Sequence, residues 1–251
     1  MRAQARGTAM ARQNVENGLS MLQTADSWMQ KMNDMLGRMH ELGVEAGDGT
    51  KTDSDLNNIQ SEFKELQSEI KRVTDGSTAA AKYNGLYLFR GGDGRTVNDA
   101  TKGLSIQIGA DVGQKIKIDL KQLDSNTTNT ETLTYDKADG TTGTMKWGSV
   151  ISSDSHLSVR SDDSLGKISA AIDHISDSRA TLGAQQNRLK ETQSGLLSYE
   201  DNLRAAESKV RDVDMASEST KFSKFQILSQ ISNAMLAQAN QLPGSALQLL
   251  G

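Results

Sequence analysis

The chain has 251 residues and not one is cysteine. Disulfides, thiol catalysis and cysteine-based metal centres are therefore excluded. There is a single proline, Pro243, close to the far end. No helix upstream of it is broken by that residue type. Aromatics make up only 4% of the chain, which suits aliphatic helix-on-helix packing better than a large globular core. No stretch reaches the roughly 18 apolar residues of a membrane-spanning helix. The formal net charge is −4, so the basic surplus that marks nucleic-acid binding is missing. The opening residues, Met1-Arg2-Ala3-Gln4-Ala5-Arg6-Gly7, have no apolar segment behind their basic side chains. That does not fit a cleaved secretory signal peptide. With 35% hydrophobic and 24% charged residues, the chain is expected to be soluble and folded.

What is present is a seam. Ile168, Ile175, Leu182, Leu189, Leu196, Leu203 and Val210 recur every seventh residue with no miss. A sustained heptad repeat of this kind winds helices around each other. The helix carrying it should be roughly 60 Å long. The second seam position begins apolar, at Leu165 and Ile172. It then turns polar through Arg179, Gln186, Gln193, Glu200 and Glu207. A long helix with so narrow a stripe needs partner helices.

The first half supplies two. Residues 8 to about 46 carry heptad pairs Val15/Gly18, Leu22/Ala25, Met29/Met32, Leu36/Met39 and Gly43/Ala46. Met21, Trp28, Met35 and Leu42 widen the buried face. Methionines at this spacing read as core filler rather than as a soft-metal site, since no Cys or His cluster accompanies them. Gly47-Asp48-Gly49-Thr50 ends the helix. Thr52, Asp53 and Ser54 are N-cap candidates for a second helix over 53–74, with Leu56, Ile59, Phe63, Leu66, Ile70 and Val73 at 3-4 spacing. The short loop predicts that the two run antiparallel.

Period-two alternation then takes over. Leu86-Tyr87-Leu88-Phe89 suits a short extended piece, and Gly91-Gly92-Asp93-Gly94 a surface turn. The latter lacks the Gly-Lys-Ser/Thr ending of a phosphate loop. Leu104, Ile106, Ile108 and Ile116, Ile118, Leu120 flank Asp111-Val112-Gly113-Gln114, predicting a hairpin over 104–121 with one apolar face. Residues 123–161 are rich in Thr, Ser, Asn, Asp and Gly and read as a short surface insert. Leu133/Tyr135 and Met145/Trp147 around Asp139-Gly140 suit a second small hairpin there. The rod helix restarts near Asp162-Asp163-Ser164. Beyond it, Phe222, Phe225, Leu228, Ile231, Met235 and Leu242 continue an apolar stripe, with Leu236, Leu247, Leu249 and Leu250 adding bulk. No remaining sequence is left to cover that stripe, so another molecule is expected to do so.

Several of these stretches resemble one family. Gln226-Ile227-Leu228-Ser229-Gln230, Met235-Leu236-Ala237-Gln238-Ala239-Asn240-Gln241-Leu242-Pro243 and Leu182-Gly183-Ala184-Gln185-Gln186-Asn187-Arg188-Leu189 resemble bacterial flagellin. So do Asn17-Gly18-Leu19-Ser20, Gln23-Thr24-Ala25, Arg38-Met39-His40-Glu41-Leu42, Tyr83-Asn84-Gly85 and the strands of the 104–121 hairpin. The likeness covers nearly the whole chain except 123–161. It implies a mainly α fold: an elongated antiparallel helical bundle or coiled-coil rod (the D1 domain) with a small β-hairpin region and a C-terminal helical arm. The implied parts are 1–122 as the first half of the rod, 123–161 as a reduced outer domain, 162–211 as the long C-terminal rod helix and 212–251 as a D0-like helix. Flagellins begin with a further N-terminal D0 helix, and by this comparison the chain is expected to lack it. The arm 212–251 is then expected to be mobile or adhesive without its intramolecular partner.

The resemblance further implies a secreted, extracellular filament subunit that assembles with itself and is exported without a cleaved signal peptide. Implied partners are an export chaperone on the C-terminal helix, filament cap and hook-associated proteins, and an innate immune Toll-like receptor. Arg38, Glu41 and Leu42 match the family stretch that this receptor reads, with His40 where the family has a second Arg. The plainer reading is that Leu42 packs in the bundle while Arg38 and Glu41 are solvated.

Other classes fit less well. A hook–filament junction protein shares the terminal helices, but the ending Ala237 to Pro243 is closer to flagellin. Some flagellins carry a zinc protease insert. Here His40-Glu41 opens an H-E-x-x-H motif, but Val44 stands where the second His belongs. His40, His156 and His174 show no paired metal spacing. No catalytic residue, metal or cofactor is expected. A signalling coiled coil is disfavoured by the β-hairpin.

Overall fold

In the computed structural model, residues 1–75, 79–91, 96–98, 104–124, 132–151, 157–212 and 214–250 are described, without the side chains of 91, 96–98 and 241–250. The chain divides into two units, Ala3–Asp201 and Met1–Arg2 with Asn202–Gly251.

The larger unit is built on α1 (Arg2–Ala46), α2 (Asp53–Thr74) and α4 (Ser164–Arg211). At 1.5 Å per residue, the 45 residues of α1 run about 68 Å. Ala, Met, Leu, Gln and Arg dominate α1, and all favour the helix. Its buried face is Val15, Leu22, Met29, Met32, Leu36 and Met39, all fully covered. Phe63 and Ile70 of α2 and Ile168, Ile175, Leu182 and Leu189 of α4 complete the core. Helix α2 starts on a reciprocal capping box. The backbone N–H of Asp55 donates to Thr52 Oγ1 at 3.3 Å, and that of Thr52 donates to Asp55 Oδ2 at 3.0 Å. Thr52 is the cap among the three candidates.

Helices α1 and α4 lie antiparallel, and glycines of α1 face α4 at two places, Gly18 and Gly43. A Cβ on Gly18 would sit 3.5 Å from Leu189 Cδ1 and would collide with Ile106 of the hairpin. At the other end of the pair Gly43 faces Leu165 and Ile168. The polar seam positions of α4 find partners on α1. Arg179 Nε donates to Asp26 Oδ1 at 2.9 Å, and Gln193 Nε2 donates to Glu16 Oε1 at 3.1 Å. Glu200, only 3% exposed, lies 3.6 Å from Arg12 Nε.

Among the described residues, seven strands form three small sheets. In the first, β1 (Lys82–Tyr83) pairs antiparallel with β2 (Leu86–Gly91), and β3 (Thr96–Asn98) lies parallel to β2. The β1–β2 turn is Asn84-Gly85, both at positive φ (49° and 78°). That is the pattern a two-residue type I′ hairpin loop demands. The apolar face expected on 104–121 is there: β4 (Leu104–Gln107) and β5 (Lys115–Ile118) pair antiparallel with Ile106 opposite Ile116. Two side chains tie this hairpin to the helices. Asn14 Nδ2 donates to Gln107 O at 3.3 Å, and Gln185 Nε2 donates to Asp119 O at 2.9 Å.

Residues 123–161 differ from the surface insert expected. Their hairpin, β6 (Thr132–Asp136) with β7 (Thr142–Lys146), leads into a single helical turn, α3 (Gly148–Ile151). Leu123, Leu133, Trp147, Val150, Ile151, Leu157 and Val159 are all buried. Trp147 Nε1 donates to Leu123 O at 2.7 Å, and Gln67 Nε2 of α2 donates to Val150 O at 3.0 Å. Few apolar residues suffice, because each one is aimed at the helices. The Gly91–Gly94 turn and His156 lie, in whole or part, outside the described residues. The smaller unit contains α5 (Met215–Leu250), which continues through Pro243.

Leu189→Asp is expected to destabilise the chain by about 3 kcal/mol or more, because it leaves an unpaired charge in the core. Denaturant unfolding measures this. Thr52→Ala should cost about 1 kcal/mol at neutral pH through loss of the cap. Thr52 first by its hydroxyl and then by its N–H holds the Asp55 carboxyl below the usual carboxylate range. A carboxyl with a lowered folded pKa stabilises the fold above its unfolded value and stops doing so as pH falls through the folded one. The gap between parent and Thr52→Ala should therefore narrow on acidification, which unfolding midpoints across pH 2 to 7 will show.

Candidate assembly and recognition surfaces

Helix α5 starts on Asp214, whose Oδ1 accepts from the N–H of Ala216 at 3.0 Å and of Ser217 at 3.3 Å. Such a cap stabilises a helix start without tertiary help. From Phe225 to Asn240 no residue is charged. Phe222, Phe225, Leu228, Ile231 and Met235 are 46–69% exposed, as are Ile227 and Leu236 at 56% and 63%. The side chain of Leu242 lies outside the described residues. At 3.6 residues per turn, these seven side chains occupy more than half of the helix circumference. A stripe that wide is found on helices covered from more than one side. Eight of the fifteen exposed large hydrophobics among the described residues sit on α5.

The seam of α4 is covered unevenly. Ile168, Ile175, Leu182 and Leu189 are buried, Leu196 and Leu203 are half-buried, and Val210 is 79% exposed. The polar second seam position takes over where the apolar one thins out.

Arg38, His40, Glu41 and Leu42 lie near the C-terminal end of α1. Arg38 Nε donates to Glu62 Oε1 on α2 at 2.8 Å, and its Nη1 donates to Glu41 Oε2 at 3.0 Å. Those carboxylates, Glu62 foremost, push the guanidinium above its ordinary pKa, so it stays charged throughout. Arg38 and Glu41 are exposed and His40 is half-buried, while Leu42 is fully buried. The four residues are thus neighbours in sequence but not one surface: three can meet a partner from solvent and the fourth belongs to the core. Glu62, which sequence reasoning missed, joins them from α2. No group of three or more His, Asp or Glu side chains among the described residues is placed to hold a metal ion. No described helix is long and apolar enough to cross a membrane.

Long helices packed along their lengths, small sheets laid against them and a terminal helix with its apolar residues in solvent define a subunit made to associate. The comparisons with known proteins give the family. The bacterial flagellin N-terminal helical region matches residues 1–93, and the bacterial flagellin C-terminal helical region matches residues 165–250. The flagellin of Bacillus subtilis is 38% identical over 265 residues, spanning 100% of this chain and 83% of its own. That of Halalkalibacterium halodurans is 34% identical, over 100% and 81%. The flagellar filament 33 kDa core protein of Treponema phagedenis is 35% identical, over 100% and 82%. The chain belongs to the bacterial flagellin family, a family of structural proteins, and is a structural subunit of the flagellar filament. The N-terminal region matches from residue 1 onward, so the expectation of a missing N-terminal D0 segment finds no support.

Leu42→Ala is expected to lower unfolding stability by about 2–5 kcal/mol, the range for emptying a fully packed leucine site. Arg38→Ala should leave the unfolding midpoint close to the parent value, since its ion pairs are exposed. Parallel thermal melts of the two variants separate a packing residue from a surface one.

Proposed function

We propose that this subunit enters the filament by burying α5 against neighbouring subunits, and that the same helix is covered by an export chaperone before secretion. The observation that supports this reading is the exposed, broadly apolar surface of α5, uncharged from Phe225 to Asn240. Covering each large side chain contributes roughly 1.5–3 kcal/mol before the cost of ordering the chain is subtracted. Phe222, Phe225, Leu228, Ile231 and Met235 supply five such side chains. Filament cap and hook-associated proteins are partners at the two ends of the polymer, where the same helix meets a different neighbour.

The subunit acts extracellularly and by shape, with no catalysis. The interrupted H-E-x-x-H stretch at His40, Glu41 and Val44 supports the latter. Residues 162–211 serve as the rod helix, 1–122 as the partner half of the rod and 123–161 as the remnant of an outer domain. Arg38, His40 and Glu41 form the exposed part of a patch for an innate immune Toll-like receptor, with Leu42 holding the helix that presents them.

Hydrogen exchange tests the proposal. The amides of α5 should exchange fast in dilute free protein. They should become strongly protected once the protein is added to filament seeds, and likewise when the export chaperone is supplied. Protection of α5 in free protein too dilute to self-associate, or fast exchange persisting in the polymer, would overturn it.

A further inference from the structure

The chain has ten methionines, and the fold sorts them by depth. Met21, Met29, Met32 and Met39 are buried along α1, and Met35 and Met145 are half-buried against the same core. Met1, Met10, Met215 and Met235 are 57–74% exposed.

The exposed four stand in different surroundings. At 3.6 residues per turn, Met235 lies within about 40° of Leu228 and Ile231 on the girth of α5. It therefore sits inside the apolar stripe, in the segment from Phe225 to Asn240 that holds no charge. Met215, on the first turn of the same helix, is turned about 160° away from Met235, and Glu218 is its neighbour three residues on. Met10 of α1 is flanked by the exposed polar side chains of Arg6 and Gln13. Of the sulfurs open to solvent, only that of Met235 belongs to an apolar surface.

A thioether is soft and apolar, and one added oxygen makes it a polar sulfoxide. With hydrogen peroxide the step is a two-electron one. A sulfur lone pair attacks one peroxide oxygen, the O–O bond breaks and an S–O bond forms. The second oxygen takes up the proton of the first and leaves as water. Sulfur is oxidised and the peroxide is reduced.

We infer that Met235 is a site of reversible oxidation by peroxides, and that its sulfoxide weakens the association of α5. This rests on the reading of α5 as the surface buried on assembly and adds a control to it. A covered sulfur is out of an oxidant's reach, so the polymer protects the residue and the free subunit does not. The bundle keeps its core, because the methionines there are inside it. A methionine sulfoxide reductase restores the thioether.

The test treats dilute full-chain protein with hydrogen peroxide and follows each methionine by peptide mass spectrometry. Met10, Met215 and Met235 should convert at least about tenfold faster than Met29, Met32 and Met39, and Met235 should stay reduced in seeded filaments. The oxidised subunit should polymerise with a critical concentration about tenfold above its untreated value, and reductase treatment should reverse the change. Met235→Leu should have one critical concentration before and after peroxide. The double variant Met10→Leu with Met215→Leu should respond as the parent does. Conversion of Met235 as slow as that of the core methionines overturns the inference. So does an unchanged critical concentration of the oxidised parent, or a Met235→Leu variant that peroxide still inhibits. Should the untreated parent fail to elongate seeds, the filament reading fails instead. Binding of an anilinonaphthalene sulfonate dye to exposed apolar surface in dilute protein then decides the site: peroxide must lower it in the parent and leave it unchanged in Met235→Leu.

Discussion

The pairing of α1 with α4 is the constraint on which the larger unit depends. It has two chemistries along one line. Over Gly43, Leu165 and Ile168, and again over Gly18 and Leu189, the helices meet through aliphatic side chains and glycines. Between and beyond these, Asp26 with Arg179, Glu16 with Gln193 and Arg12 with Glu200 carry the contact. Apolar heptads alone tolerate a slip of seven residues, because each knob finds an equivalent hole. The polar pairs do not: moved by one heptad, Glu200 would be buried without Arg12. Half-exposed pairs add little net stability, but stranding a buried charge costs several kcal/mol. The apolar contacts hold the helices together, and the polar ones select one register.

That register positions everything else in the unit. The β4–β5 hairpin lies across both helices and is tied to each by one side-chain amide, Asn14 and Gln185. It sits close on α1 at Gly18, where a Cβ would collide with Ile106. The β6–β7 hairpin is held at the start of α4, where Asp163 Oδ1 accepts from the N–H of Ala138 at 3.1 Å. Trp147 then fills the space between this hairpin and the helices, and Gln67 satisfies a carbonyl that burial would otherwise strand.

How much of this was legible in the sequence follows from the range of the interactions. The heptad of α4, the 3-4 spacing of α2 and the alternation at 104–121 are local periodicities, and each became the element it indicated. The capping box needed only Thr52 and Asp55, three residues apart. Long-range polar partners left no such trace: nothing in the sequence ties Arg179 to Asp26 or Glu200 to Arg12. For the same reason, 123–161 looked like a solvated insert. Average polarity hides the fact that a few apolar residues all point one way. The Asn84-Gly85 turn is a different case, since that dipeptide between two alternating runs is itself a hairpin signal, and it went unread beside the longer helical patterns. The recognition patch was half legible. Arg38, His40, Glu41 and Leu42 are consecutive enough to look like a single motif, yet helical geometry turns Leu42 into the core and brings Glu62 in from another helix.

The surfaces relevant to function share one property, which is that folding of a single chain does not account for them. In the larger unit nearly every aliphatic at a seam or strand face is covered, so its stability is explained from within. The side chains of α5 are the reverse case. A helix with no charge between Phe225 and Asn240 has apolar residues over more than half its girth, and that part gains little from water. Its cap at Asp214 and its helix-favouring composition can start a helix, but isolated helices remain marginal without packing. A sequence that keeps such residues while the bundle next in the chain is already fully packed has its energetic optimum in a multi-chain state. That division matches the proposed role: the bundle closes its core with its own side chains, and the exposed apolar surface of α5 is the part proposed to be buried on assembly.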